Sequence, residues 1–219
     1  MSGATASDGT ALSDEADRFS AASEQFEAAL AARNHPLGRF LRPGLSVERI
    51  ESLMATTHRG TPPAGASGPP LRLPEAAARL WSWHDGVDTT DLTRVPGSEQ
   101  LPGGLVFLPL ELAVQNYQAS VADFPWTDLD DMSPDWFPIA TMGHGDQLLV
   151  DCAGTAQGQL VYRKLGDYNT QEDFERENLP SIAHAFEAWT RLLVSGDWAL
   201  DGGTWTYTRE WQPELPSWY

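Results

Sequence analysis

WFPIATMGHGDQLLVD, residues 136–151, sets two apolar runs on either side of a glycine-bounded turn. Trp136 to Met142 and Gln147 to Cys152 carry the aromatic and branched side chains that suit strands, and Gly143-His144-Gly145-Asp146 supplies the small and polar residues that a tight turn needs. A third run, Gln159 to Lys164, follows through Gly154 and Gly158. Connections this short join antiparallel neighbours, so the spacing predicts a three-stranded meander. Alternation along the second strand sends Asp151 to the same side as Leu149.

Working outward, Gly104 to Leu108 reads as a short strand, and Pro109 at once opens a helix over Leu110 to Ala119. Leu73-Pro74 starts another helix through Ala77, Leu80 and Trp81, and Asp85-Gly86 is expected to end it, the glycine taking a positive φ. Ser46 stands as the N-cap of Val47 to Thr57, whose Val47, Ile50, Leu53 and Met54 share a face. Phe19, Ala22, Phe26, Ala29 and Leu30 recur at three and four and predict an amphipathic helix from Asp14 to Arg33. Downstream, Ser181 starts a last helix with Ile182, Phe186, Trp189, Leu192 and Leu193 as its stripe, and Trp198 to Tyr207 reads as a hairpin turning at Gly202-Gly203. Helices before and after a run of strands give an α+β class, a mainly antiparallel sheet with helices packed against one face. The expected organisation is a disordered N-terminus over residues 1–13, a helical arm over 14–44 and a domain over 45–219 that ends in the hairpin and a tail. Thr61 to Pro70, rich in Pro, Gly and Ala, is a linker within it, and there are no internal repeats.

Charge is laid out unevenly. The 219 residues carry a net charge of -17, and from Val95 to Tyr162 there are nine carboxylates and no Lys or Arg. Such a field repels nucleic acid and membrane phosphate and draws in cationic partners, so the expected partner is a basic protein. The single cysteine, Cys152, excludes an internal disulfide and any Cys-based zinc cluster, which fits a reducing compartment. Met1 to Gly9 is small and polar, without a basic and then apolar leader, and no run approaches the roughly 18 apolar residues of a membrane span. The expected location is cytoplasmic. Thirteen Arg against one Lys, with much Ala, Gly and Pro, suggests a GC-rich bacterial genome.

The order of the pieces resembles the SUKH superfamily, the group of yeast cell-wall-assembly regulators and bacterial toxin-immunity proteins. Leu73-Pro74 leading to Leu80-Trp81-Ser82-Trp83-His84-Asp85-Gly86, Phe107-Leu108-Pro109-Leu110-Glu111-Leu112-Ala113, and Trp136-Phe137-Pro138-Ile139-Ala140 followed by Gly143, Gly145-Asp146 and Leu148 to Asp151 carry the resemblance. Ser181 to Trp189 and Gly196-Asp197-Trp198 complete it, so that it covers about Leu45 to Tyr207. Its departures are His144, where the family has a second glycine, and the segment before Leu45. The resemblance implies a binding module and not an enzyme, with no cofactor: in bacteria a protein that neutralises a toxin, often a nuclease, and in fungi a hub for signalling and wall assembly.

The candidate partner-binding residues are Asp123, Trp126, Asp128, Asp130, Asp131 and Asp135, in a loop broken by Pro125 and Pro134, with Asp88 and Asp91 extending the same face. Phe124, Trp126, Met132 and Trp136 lie among these acids, and aromatics ringed by polar groups are what binding hot spots look like. The competing reading is a solvated loop, and for Asp85 simple turn chemistry is preferred. His84, His144, Asp146, Asp151 and Cys152 have no recognised metal-ligand spacing. No nucleophile elbow and no phosphate loop occurs. Most Trp fall on apolar faces and are assigned to the core; Trp83, two residues from Trp81, is the exception. Trp211 to Tyr219 is too apolar for a simple tail and either folds back or binds a partner. Three functions follow: an immunity-type inhibitor of a basic toxin, a regulatory scaffold linked to cell-wall or glucan synthesis, and, with no spacing to support it, a hydrolase using Asp146 and Asp151.

Overall fold

The computed structural model describes residues 8–59, 69–90, 97–123, 133–142, 145–153, 157–163, 176–201 and 204–207, with backbone alone at 8–13, 122–123, 176–179, 200 and 204–207. The meander is there and is wider than expected. β3 (Val106–Phe107), β4 (Trp136–Thr141), β5 (Gln147–Asp151), β6 (Leu160–Arg163) and β7 (Arg176–Leu179) form one sheet in that order, every pair antiparallel. Two-stranded sheets join β1 (Leu41–Pro43) to β2 (His84–Val87) and β8 (Trp198–Asp201) to β9 (Thr204–Tyr207). The expected hairpin is thus present, its two turn glycines lying outside the described residues.

Strand alternation divides the sheet's side chains. Phe137, Leu148, Val150, Leu160 and Tyr162 join the main core with the helices, whereas Trp136, Leu149 and Val161 form a small separate cluster on the opposite face. The helices are α1 (Asp8–Ala32), α2 (Leu37–Phe40), α3 (Val47–Met54), α4 (Glu75–Trp83), α5 (Leu110–Asp123) and α6 (Ile182–Ser195). Ser46 and Ser181 cap α3 and α6 as expected, their hydroxyls accepting from Arg49 N–H and His184 N–H. The stripe of α6 is buried throughout, and Gly196 ends the helix at φ +84°.

Several expectations need correction. α1 begins at Asp8, ahead of the Asp14 read from the periodicity, because extending a helix already held by a buried face costs little. It is docked along α6 and α4: Phe19 and Phe26 meet Phe186 edge-on at 5.2 and 5.3 Å, and Arg18 grips Glu187 at 2.6 Å. α5 continues past Ala119 to Asp123, since nothing before Pro125 breaks it and Val121 is buried. Gly86 does not end α4. The helix stops at Trp83, His84 is already extended, and Gly86 lies inside β2 at φ +73°. A Cβ there would stand 2.2 Å from the backbone nitrogen of Pro109, so the glycine serves a close approach of two chain segments.

Candidate partner-binding site

Where nine carboxylates lie without a base, folding can either leave a continuous negative face or consume the charges internally. Among the described side chains the second outcome dominates. Asp146 is buried and accepts from the Tyr162 hydroxyl at 2.6 Å. Asp151 accepts from Ala153 N–H at 2.9 Å and from the Trp136 indole at 3.3 Å. Glu99 is buried. Asp135 forms an ion pair with Arg59, whose guanidinium pKa is raised by hydrogen bonding to that carboxylate. Glu111 stays largely exposed, with Arg49 3.8 Å away. The acid-rich stretch is therefore partly structural.

The candidate residues fare differently. Asp88 is exposed, but its carboxylate accepts from Thr90 N–H and hydroxyl at 2.9 and 2.7 Å, an Asx turn that still leaves its charge facing water. Asp135 turns out to be anchored: besides Arg59, its carbonyl accepts from Cys152 N–H at 2.8 Å, which fixes the downstream end of the acidic loop to the sheet. Asp123 is the last residue of α5 and fixes the upstream end. Asp91, Trp126, Asp128, Asp130 and Asp131 lie outside the described residues, as do His144, residues 60–68 of the linker and the tail from residue 208. The structure thus brings the two ends of the loop to defined places and leaves Asp88 on a separate turn after β2.

Asp85, read as turn chemistry, has another role. It is buried, accepts from Leu110 N–H at 2.8 Å and pairs with Arg42 at 3.0 Å, so it caps α5 from a different part of the chain while tying β1 to β2. No pattern local to Asp85 could reveal this, because its partners are 25 and 43 residues away. The pairing of Arg59 with Asp135 is illegible in the sequence for the same reason. His84 sits between the Arg42 carbonyl (2.7 Å) and Glu27 (2.8 Å), and burial pushes the Cys152 thiol well above its ordinary pKa. Trp83, singled out above, is half-buried and lies edge-on to Phe186 at 5.2 Å, which makes it part of the core margin.

An α+β domain in which a capped helix follows a short strand into an antiparallel meander, with a last helix closing the core, defines the class. The SMI1 / KNR4 family (SUKH-1) model matches residues 70–191, more than half of the chain, and the protein belongs to that family. No curated protein matches it. The match begins at the segment leading into α4, so α1, α2, β1 and α3 lie outside it although α1 supplies two of the largest core side chains. Among the described residues no helix is long and apolar enough to cross a membrane.

Proposed function

We propose that this chain is a non-enzymatic, cytoplasmic protein-binding module of the immunity type, which binds and neutralises a basic toxin such as a nuclease. The observation that carries the reading is the run from Val95 to Tyr162, nine carboxylates without Lys or Arg, inside the segment that matches the family. A carboxylate-rich surface can occupy a basic substrate groove as a phosphate mimic and speeds encounter with it. Asp128, Asp130 and Asp131, between the fixed ends at Asp123 and Asp135, are the proposed contacts, with Trp126 as the apolar anchor. Asp88 and Asp91 extend the charge. Asp135 contributes by holding the loop, since Arg59 already neutralises it.

A regulatory scaffold for cell-wall or glucan synthesis is the second reading within the same family. A scaffold that used the N-terminal helix as a second contact site would need that helix free, and α1 is packed into the core. Affinity capture with tagged protein at low and at several-fold higher salt, read by mass spectrometry, separates the two. One basic protein, retained at low salt and lost when Asp128, Asp130 and Asp131 become Asn, is the expected result. Several wall-synthesis or signalling proteins, indifferent to those changes, would favour the scaffold.

A further inference from the structure

α3 and α4 leave between them an apolar groove of about 570 Å³. Leu45 N–H to the Trp81 carbonyl (2.9 Å) ties the start of α3 to the end of α4. Leu71 N–H to the Thr57 carbonyl (2.9 Å) brings the returning segment alongside before α4 begins. The helices therefore run in opposite directions, and residues 70–73 close one end. Ile50, Met54, Leu71 and Ala78 form much of its lining, and Val47 at the open end is 60% exposed, one of few large apolar side chains left so bare among the described residues.

We infer that this groove docks an amphipathic helix of the partner protein, with basic residues along the edge that faces α3 and an acidic residue over Arg72. α3 has eight residues, about 12 Å of helix at about 1.5 Å each, which matches the span of an i, i+4, i+7 stripe of the kind that fills a groove between two helices. Charge sets the orientation. Glu48 and Glu51 are exposed on α3 with no ion pair to a described residue, whereas on the α4 side Arg79 is taken by Glu75 (2.7 Å) and Asp17 (2.8 Å). Arg72, at the closed end, is exposed and likewise has no ion pair to a described residue. This inference rests on the protein-binding reading above and adds a second, apolar contact to it.

The test uses the full chain and a labelled synthetic helix of about 18 residues, the length needed for a few turns. Its leucines form one stripe, lysines flank the stripe on one side, and a glutamate occupies one terminal turn. Two controls have the flank lysines changed to glutamate or the stripe scrambled. Fluorescence anisotropy should give micromolar binding of the first peptide, about tenfold or more weaker binding of the glutamate-flank version, and none of the scrambled one. Val47→Glu, at a bare position that cannot disturb the core, and Ala78→Arg, which fills the groove, should each weaken binding by about tenfold or more. Equal binding of the scrambled peptide, indifference to both substitutions, or no binding up to about 1 mM would overturn the docking site. Equal binding of the two flank versions would overturn the charge assignment. If capture of a basic protein is unchanged by Val47→Glu and Ala78→Arg, the groove fails while the protein-binding reading stands.

Discussion

At the scale of single residues, two glycines with similar backbones separate conformational freedom from space. Gly86 (φ +73°) faces the backbone of Leu108 and Pro109, whereas Gly158 (φ +87°) faces open space. Gly158→Ala should cost about 1–2 kcal/mol for the left-handed backbone alone. Gly86→Ala should cost well beyond that, about 3 kcal/mol or more, because backbone must move, and urea denaturation of the pair checks the difference. His35 makes a pH prediction. Burial lowers its pKa to about 3, Nδ1 accepts from Leu37 N–H at 3.1 Å, and the ring packs against Trp198 with centroids 4.2 Å apart and planes tilted by 42°, so the fold uses the neutral ring. The folded pKa lies below the unfolded value, so this stability is complete above about pH 6.5 and is lost as pH falls towards about 3, at roughly 1.4 kcal/mol per unit. Between pH 6.5 and 5 the wild type should lose about 1.5 kcal/mol more than His35→Phe, read as denaturation midpoints at the two pH values.

At the scale of elements, most of what periodicity and capping could report was legible. Ser46 and Ser181 act within three residues of themselves, and the runs Trp136–Thr141 and Gln147–Asp151 are apolar enough to read as strands, although a register shift between Pro138 and Ala140 places both Ile139 and Ala140 in the main core. The misreadings share a cause. Asp85-Gly86 looks like a helix end locally, but its meaning comes from Leu108 to Leu110 and Arg42, which the chain brings up from far away. β1, β2 and β7 are three or four residues long, too short to show a period. That α1 is an integral part of the core could not be read from its pattern, which an isolated amphipathic arm would share. Phe26→Ala should therefore cost about 3–5 kcal/mol, whereas Arg18→Ala, breaking a pair with one half-exposed partner, should cost at most about 1 kcal/mol. Asp85→Ala belongs here too: it strips the cap of α5 and leaves Arg42 without its partner, for about 2–3 kcal/mol in chemical denaturation, with Asp85→Asn costing less.

For the molecule as a whole, net charge and its placement are different things. The sequence counts carboxylates, but burial and pairing decide which of them a partner can feel. Asp146 and Glu99 are inside, and Asp135 is paired, so fewer groups face outward unpaired than the nine counted between Val95 and Tyr162. The groove between α3 and α4 was illegible for the converse reason: Val47 belongs to the apolar face of its helix, and only the folded chain leaves it uncovered. The encounter with the proposed basic partner should still be steered, since long-range attraction depends on the summed charge of -17. The measurement that tests this most directly is the association rate of the captured basic partner, by stopped flow, from about 25 mM to about 500 mM salt, a range over which the Debye length shrinks several-fold. A rate that falls by about tenfold or more, with Asp128, Asp130 and Asp131 as Asn already slow at low salt, is the predicted result. A rate indifferent to salt and to those three substitutions would contradict it.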